Sequence, residues 1–286
     1  MSDDTLTVML ADLARTEEPP RPSDWPEPLP PHLSPSQVSD FLLCPEEYRL
    51  KRLVGLPTRP NVKLIVGHAD TKANERNMRA KIDTGDMLSV EAVGDAAADA
   101  FRERVESDGG EGEVDWEDQT PGVALDKAVQ VATVYRETVA PTVAPVAVEQ
   151  RVELQVAGAP LVYGYADVVE AHQAIEKKTA ATLTRVIQPQ WRPAVLLYAA
   201  ALERPVAVHV TTKAVQPKVT TPETDGGLFQ PVEAERAARL VQDVAESLRT
   251  LVATRGPDES WPVHGLTHVW KCGLCDFREN GCWAWK

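Results

Sequence analysis

The sequence predicts an α/β domain with a helical part before its sheet and a cysteine-rich tail after it. Apolar residues recur at helical spacing over the first half of the chain. From Val146 onward they alternate with polar residues and are often β-branched, which is typical of strands. A run of helices followed by the order strand, strand, strand, helix, strand favours one α/β domain.

The composition indicates a globular, acidic protein. The chain has 286 residues, of which 43% are hydrophobic, and 43 acidic against 30 basic residues give a formal charge of −13. This hydrophobic share argues against a fully disordered chain, and the four cysteines are too few for a disulfide scaffold. The charge disfavours a protein that coats nucleic acid through many phosphate contacts, although it leaves room for a local basic groove. Because no apolar run reaches bilayer length and no signal peptide is evident, we expect a cytoplasmic protein without a membrane partner.

The chain divides into four predicted segments. Residues 1–31 are rich in proline and acidic residues, which predicts a disordered leader, with order beginning near Leu33. Residues 32–145 form the helical part, residues 146–254 the core that contains the sheet, and residues 255–286 the cysteine-rich tail.

The first helix has a recognisable start. Ser34 is a predicted N-cap, Pro35 suits the first helical position, and Gln37 is placed to close a capping box. Pro45 should end or bend this helix, which places Cys44 at a corner between two helical segments. The buried side of the helix should consist of Val38, Phe41 and Leu42.

Spacing also defines the remaining elements. Further helices are predicted at residues 66–82, 89–107, 123–140, 190–203 and about 232–254. An acidic, glycine-rich loop should separate the second and third of these. Strands are predicted at Val146–Val156, Leu161–Glu170, Ala174–Thr179 and Val206–Thr212.

The cysteine spacing predicts a metal centre. Three cysteines near the C-terminus follow the order Cys272-x2-Cys275-x6-Cys282, and the fourth is Cys44. A two-residue gap lets both thiolates reach one ion or cluster, and four thiolates suit either zinc or an iron–sulfur cluster. Disulfides or incidental thiols are the alternative, which the expected cytoplasmic location disfavours. Either metal would join the end of the chain to its beginning.

A second pattern points to hydrolytic chemistry. Asp167 and Glu176 fall on adjacent predicted strands, where their carboxylates could hold one or two Mg²⁺ or Mn²⁺ ions. Period two places Lys178 on the same face as Glu176, and Lys177 on the opposite face. A lysine beside the metal can orient or deprotonate a water that attacks a phosphodiester. Taken alone, the same residues are also typical of a solvated strand edge.

The order of these motifs resembles the PD-(D/E)XK nuclease superfamily. The matching residues are Gly164-x-x-Asp167, then Glu176-x-Lys178-Thr179, then a helix with Tyr198 followed by Ala-Ala-Ala-Leu. One cysteine before this core and three after it are similar to the iron–sulfur branch, which contains the CRISPR-associated RecB-like exonucleases and the AddB nuclease domain. The opening Leu33-Ser34-Pro35-Ser36-Gln37 and Cys44-Pro45 are similar to the same branch, and the resemblance spans roughly residues 32–286.

The resemblance implies a restriction-endonuclease-like core, a mixed sheet flanked by helices, and roles for individual residues. Asp167 and Glu176 would be metal ligands, with the carbonyl of Lys177 as a third. Lys178 would be the catalytic lysine and Glu149 an auxiliary acid. Tyr198 would match the tyrosine of the family's Gln-x-x-x-Tyr motif. The ligands of a 4Fe-4S cluster would be Cys44, Cys272, Cys275 and Cys282.

Two positions of the family pattern carry other residues here. The family's early Gly-x-x-x-His motif is matched by Gly67-His68-Ala69-Asp70-Thr71, so Thr71 stands at the histidine position. His68 lies one helical turn earlier and is the candidate metal ligand, or else an ordinary histidine near a helix start. The glutamine expected before Tyr198 is Ala194, with Gln190 a further turn away.

The implied function is metal-dependent DNA cleavage, by an exonuclease that acts on DNA ends or single strands in phage or prokaryotic DNA processing. A helicase or recombination protein is a further candidate partner. The substituted histidine and glutamine leave a second interpretation, a weakened or inactive protein of this fold that binds DNA or protein and is stabilised by a four-cysteine centre. A third is a zinc-clamped interaction domain. A confined basic groove near the motifs would comprise Arg49, Lys51, Arg52, Arg76, Arg79, Lys81, Arg185 and Arg192.

Overall fold

The structure is a computed structural model that describes residues 25–222, 234–263, 272–273, 275–278 and 281–285. Packing starts earlier in the chain than the sequence predicts. Trp25 and Leu29 are fully buried and belong to the same hydrophobic core as Leu33. The prediction of a disordered leader up to residue 31 is therefore wrong from Trp25 onward, because two large apolar side chains between the prolines pack in the core. The rest of that leader, residues 1–24, lies outside the described residues.

Helix α1 (Pro35–Leu43) begins as predicted, with the Ser34 hydroxyl accepting a hydrogen bond from the Gln37 amide at 3.1 Å. The other half of the capping box does not form, since the side-chain oxygen of Gln37 is buried without a hydrogen-bond partner. Of the predicted buried side, Val38 and Phe41 are buried but Leu42 is exposed. Pro45 ends α1 and starts α2 (Pro45–Tyr48), which continues into a π-helical turn.

Three longer helices form a layer on one face of the sheet. They are α3 (Val62–Thr84), α4 (Val90–Ser107) and α5 (Pro121–Thr138). The side chains of Asn61, Ser89 and Thr120 cap their N-termini. Helix α3 packs against α4, α5 and the sheet, so even its polar residues Asp70, Asn74 and Asn77 are buried.

The strands of the described chain form one mixed sheet in the order β1-β2-β3-β4-β5. Their bounds are β1 Pro145–Leu154, β2 Val162–Glu170, β3 Ala174–Ala180, β4 Val206–Thr212 and β5 Val219–Thr220. Only β3 and β4 pair in parallel, and the other neighbours are antiparallel. Helix α6 (Arg192–Leu202) supplies the crossover that a parallel pair requires.

Helices cover both faces of this sheet. Helices α3 and α5 contact one face, and α1 and α6 contact the other, with α7 (Ala234–Thr254) packed on α1 and α6. The predicted α/β architecture, a mixed sheet flanked by helices with a helical N-terminal part, is confirmed. Among the residues described, no helix has both the length and the apolar character needed to cross a membrane.

Candidate active site

The sheet opens between β2 and β3. These strands pair only at Val168–Ile175 and Val169–Ala174, and they diverge at the next residues, Asp167 and Glu176. The Asp167 carboxylate occupies the opening and accepts a hydrogen bond of 2.6 Å from the backbone N–H of Lys177. At this point the hydrogen-bond partner of β3 is the side-chain carboxylate of Asp167 and not the backbone of β2. The hydrogen bond holds the carboxylate where the strands diverge.

Glu149 lies on β1 directly across from Asp167. It falls between the pairs Val148–Val168 and Gln150–Ala166, and its φ of 50° is in the left-handed region. A non-glycine residue there costs on the order of 1–3 kcal/mol, and such strain is concentrated at functional sites. Burial raises the pKa of the Glu149 carboxyl to about 7, and the neighbouring Asp167 carboxylate contributes to the increase. The distortion of β1 therefore brings a second, partly shielded acid to the opening.

Glu176 and Lys178 share one side of β3, as period two predicts. The Lys178 ammonium lies 2.5 Å from a Glu176 carboxylate oxygen. Burial alone would lower the pKa of Lys178, but the carboxylates of Glu176 and Asp167 outweigh it and raise that pKa. Burial, followed by the charge of Glu176, raises the pKa of Asp167 to about 7. The lysine only partly compensates the negative charge that gathers at the opening.

The donor set at this opening fits a divalent cation. Glu149, Asp167 and Glu176 present hard carboxylate oxygens, and a cation would stabilise the ionised forms that burial disfavours. The Lys177 carbonyl is directed to the same side of β3 as its N–H, toward Asp167, because an extended residue turns both groups to one neighbouring strand. Within the described chain no three His, Cys, Asp or Glu side chains are already grouped around one ion position. The opening therefore has the oxygen donors of a metal site, but their side chains would have to move closer together to bind one ion.

Tyr198 covers the site from α6. Its hydroxyl accepts a hydrogen bond from the backbone N–H of Tyr165, and burial together with the nearby carboxylates raises its pKa well above the usual range. Gly164 makes this approach feasible. A Cβ atom at Gly164 would lie 3.0 Å from the Tyr198 hydroxyl and 3.0 Å from Cδ of Pro35. The glycine of the Gly-x-x-Asp motif is therefore needed for α1 and α6 to pack on β2.

His68 is placed elsewhere. Burial lowers its pKa, and the charges that act most on it come from Lys72 on α3 and from Glu103, Arg104 and Asp108 at the end of α4. His68 thus faces α4, and the structure does not bring it to the predicted metal ligands. From α3, Lys72, Glu75 and Arg79 lie close enough to influence Glu149. Thr71 is half-buried, and Gln190 lies in a short helical turn before α6.

A buried polar network behind the site was missed by sequence reasoning. The Lys177 ammonium lies 2.8 Å from an Asp70 carboxylate oxygen on α3, and each side chain is 1% exposed. The same ammonium lies 3.9 Å from the ring centroid of Tyr135, whose hydroxyl is 2.9 Å from Nδ1 of His209. Burial and the Lys177 charge lower the pKa of His209 to about 4, so its imidazole is neutral near pH 7. The sequence carried one signal of this network. It places Lys177 on the face of β3 opposite Glu176, and a lysine on a sheet face that helices cover needs a buried carboxylate.

No disulfide joins the four cysteines, all of which lie within the described residues. Burial raises the pKa of the Cys282 thiol, and the charges of Glu46, Cys44 and Cys272 add to this effect. Among the described residues, which include all four cysteines, no three such side chains are grouped as they would be around a metal ion. The Cys275 amide donates a hydrogen bond of 3.3 Å to the Cys272 carbonyl in the turn that links this pair.

The tail packs on the start of the chain. The Trp283 indole donates a hydrogen bond to the Trp261 carbonyl, and the Trp261 amide donates one to the Glu46 carboxylate on α2. A Cβ atom at Gly281 would lie 3.5 Å from Leu50. The described tail residues thus lie against the first helices, as the predicted joining of the two ends requires.

A mixed sheet that opens at a half-buried aspartate, with Glu-x-Lys on the next strand, is the arrangement that the sequence resemblance predicts for a nuclease. The family model of the PD-(D/E)XK nuclease superfamily matches residues 32–280. The chain belongs to this superfamily, whose nucleases typically use Mg²⁺ or Mn²⁺. The match identifies the superfamily and not a branch within it.

One of two similar solved structures supports the fold. A "Putative exonuclease" from Eubacterium rectale is 12% identical with a TM-score of 0.51, over 84% of this chain and 87% of that chain. The structure of SSO0001 is 14% identical with a TM-score of 0.36, over 87% of this chain and 97% of that chain. No curated protein matches the chain.

Proposed function

We propose that the protein is a metal-dependent deoxyribonuclease that acts on DNA ends or single strands. The observation that carries this function is the opened sheet. There the Asp167 carboxylate is fixed by the Lys177 amide at 2.6 Å, beside a Glu176–Lys178 pair at 2.5 Å. Acidic and basic side chains in one shielded opening can bind a metal and activate a water at the same point.

The residues have separate roles in this reaction. Asp167 and Glu176, with the Lys177 carbonyl, would hold Mg²⁺ or Mn²⁺. The ion would stabilise negative charge that develops on the scissile phosphate. Lys178 would orient the attacking water, since its raised pKa keeps the side chain an ammonium that cannot take up a proton. Its contact with Glu176 holds the ammonium next to the metal ligands. Glu149 would serve as an auxiliary acid from β1, and Tyr198 would shield the site from bulk water.

Replacing Lys178 with alanine is expected to reduce the rate of DNA cleavage about 100-fold or more, because positioned acid–base groups contribute at least that factor. Labelled linear and circular DNA, each single- and double-stranded, would be incubated with either protein in Mn²⁺ and in EDTA. We expect the wild type to degrade linear DNA or single strands in Mn²⁺ only. Equal degradation by the two proteins, or none by the wild type, would contradict the catalytic role. Cleavage of circular substrates would contradict a requirement for ends.

A second candidate is a protein of the same fold that binds DNA without cleaving it. Thr71 stands at the histidine position of the family, Ala194 at the glutamine position, and His68 faces α4. Tight DNA binding without turnover in Mg²⁺ or Mn²⁺ would favour this function over the enzyme. A helicase or recombination protein is the partner that we propose for either function.

We also propose that Cys44, Cys272, Cys275 and Cys282 bind one 4Fe-4S cluster, with zinc as the alternative. The spacing of the cysteines and the influence of Cys44 and Cys272 on the pKa of Cys282 support a shared centre, and four thiolates suit either metal. The side chains would have to converge on the metal.

Anaerobically purified protein is expected to absorb at about 400 nm and to contain about four iron atoms per chain. Cys275→Ser should remove both signals. Serine in place of a tail residue other than cysteine should leave both signals unchanged. Stoichiometric zinc without this absorption would contradict the cluster, and absence of both metals would contradict the four-cysteine centre.

A further inference from the structure

A small cationic cavity lies at the ends of β3 and β4, against the first turn of α3. Its volume is about 130 Å³, and three lysines line it together with one side-chain amide and three small apolar residues. The polar lining residues are Lys63, Lys127, Lys213 and Gln119. Lys127 donates to the Gln119 side-chain oxygen at 2.6 Å, which leaves the Gln119 NH₂ group as a further donor. Every polar side chain of the lining can therefore donate hydrogen bonds.

These lysines differ from the basic residues of the predicted groove. Arg49 is buried against Glu46, Lys51 and Arg52 contact Asp40, and Arg79 contacts Glu75. In the part of the chain that the structure describes, Lys63 pairs with Glu117 at 2.6 Å, but neither Lys127 nor Lys213 pairs with a carboxylate. The cavity thus keeps an excess of positive charge in a chain whose formal charge is −13.

Lys213 is the least compensated of the three lysines. Its ammonium donates to the Lys63 carbonyl at 3.3 Å, and burial followed by the charges of Lys63 and Lys127 lowers its pKa to about 8. Glu117 and Asp70 oppose this effect only in part. An anion in the cavity would stabilise the protonated lysine, because it would replace the lost hydration and offset the like charges.

The cavity adjoins the end of the strand that carries the proposed catalytic lysine. The Lys213 amide donates to the Ala180 carbonyl, and Ala181, three residues beyond Lys178 on the chain of β3, lines the cavity. At about 3.3 Å per residue, positions 178 and 181 are roughly 10 Å apart along the strand. Alternation places them on opposite faces, so a DNA strand would pass around the end of β3 to reach both sites. Phosphates of a nucleic-acid strand follow one another at about 3.4 Å or more, so this separation corresponds to about three nucleotides.

We propose that this cavity binds a phosphate group of the DNA strand, about three nucleotides from the phosphodiester that is cleaved. The assignment rests on the proposed function and extends it by a second contact that fixes the register of the strand. Phosphate contacts position a nucleic acid without reading its sequence. The binding step should therefore be independent of base sequence.

Alanine at Lys213 is expected to weaken binding of a labelled single-stranded oligonucleotide, measured by fluorescence anisotropy in EDTA so that no cleavage occurs. Loss of one phosphate contact lowers the slope of log affinity against log salt by about 0.7, which corresponds to about a fivefold loss at 0.1 M salt. Glutamine at Lys213 keeps the length of the side chain and should give the same loss. Lys218→Ala is the matched control, because Lys218 is an exposed lysine on the same turn outside the cavity.

Other outcomes would overturn the assignment. If Lys213→Ala and Lys213→Gln bind DNA with the affinity and salt slope of Lys218→Ala, the cavity does not contact the strand. If inorganic phosphate raises the melting temperature of the wild type but not of Lys213→Ala, while DNA affinity is equal in both, the cavity binds a free anion instead.

The nuclease assay separates this inference from the proposed function. DNA binding that depends on Lys213, without any cleavage, would exclude the proposed nuclease function and support the phosphate site. Cleavage that does not depend on Lys213 would support the nuclease function and exclude the phosphate site.

Discussion

Asparagine at position 167 is expected to abolish DNA cleavage and, at the same time, to raise the melting temperature of the metal-free protein. Cleavage should fall by a factor of about 1,000 or more, because a ligated metal supplies several kcal/mol of charge stabilisation. Stability should rise because Asp167 is shielded beside Glu176, where its negative charge is unfavourable. The asparagine oxygen can still accept the hydrogen bond from the Lys177 amide.

The gain in stability should depend on pH. The pKa of Asp167 is about 7 in the folded protein, against about 3.9 in an unfolded chain. Over the interval between these values the folded protein holds a proton that the unfolded chain has lost, so the stability of the wild type falls as the pH rises. The difference in melting temperature between Asp167→Asn and the wild type should be largest at about pH 8 and small at about pH 4.

Calorimetry in EDTA at both pH values measures this difference, and Asp95→Asn is the control because Asp95 is exposed on α4. Addition of Mn²⁺ should raise the melting temperature of the wild type and leave that of Asp167→Asn almost unchanged, since only the wild type keeps the ligand. A lower melting temperature for Asp167→Asn at both pH values would show that the carboxylate stabilises the fold instead of opposing it.

Much of the fold follows from local signals. The predicted strand Val206–Thr212 has the observed bounds, and the other three predicted strands differ from β1, β2 and β3 by two residues or fewer at each end. Alternation and β-branched residues are visible within a few positions of the chain. Strand β5 has only two residues, Val219 and Thr220, and so carries no such pattern. Burial of Trp25 depends on contacts with distant segments, which no local pattern encodes.

In the candidate site, too, some features follow from local patterns and others depend on distant contacts. Asp167, Glu176 and Lys178 come together because their motif lies on neighbouring strands, and strand geometry alone predicts their relation. The left-handed conformation of Glu149 depends on the strand that lies opposite and leaves no mark in its own segment. The direction in which His68 points depends on how α4 packs on α3, which helical spacing does not determine.

Leucine at Asp70 is expected to destabilise the protein by about 3–5 kcal/mol, the cost of leaving a buried charge without its partner. The Lys177 ammonium is 1% exposed, so it cannot turn to water, and the Tyr135 ring compensates a cation only weakly. Urea unfolding measures the loss. Asp99→Leu is the matched control, because Asp99 forms an exposed pair with Arg102 whose removal should cost about 1 kcal/mol or less.

Methionine at Lys177 in addition to Asp70→Leu should recover most of the lost stability. Replacing a buried ion pair by apolar side chains of similar volume is often neutral, whereas removing one partner is not. The two substitutions should therefore be strongly non-additive, with the double variant more stable than Asp70→Leu. A double variant no more stable than Asp70→Leu would show that the cost arises from packing around Asp70 and not from the uncompensated lysine. In that case the unpaired Lys177 ammonium would cost little free energy of unfolding. Stability would then not explain why the chain has a buried ion pair behind β3.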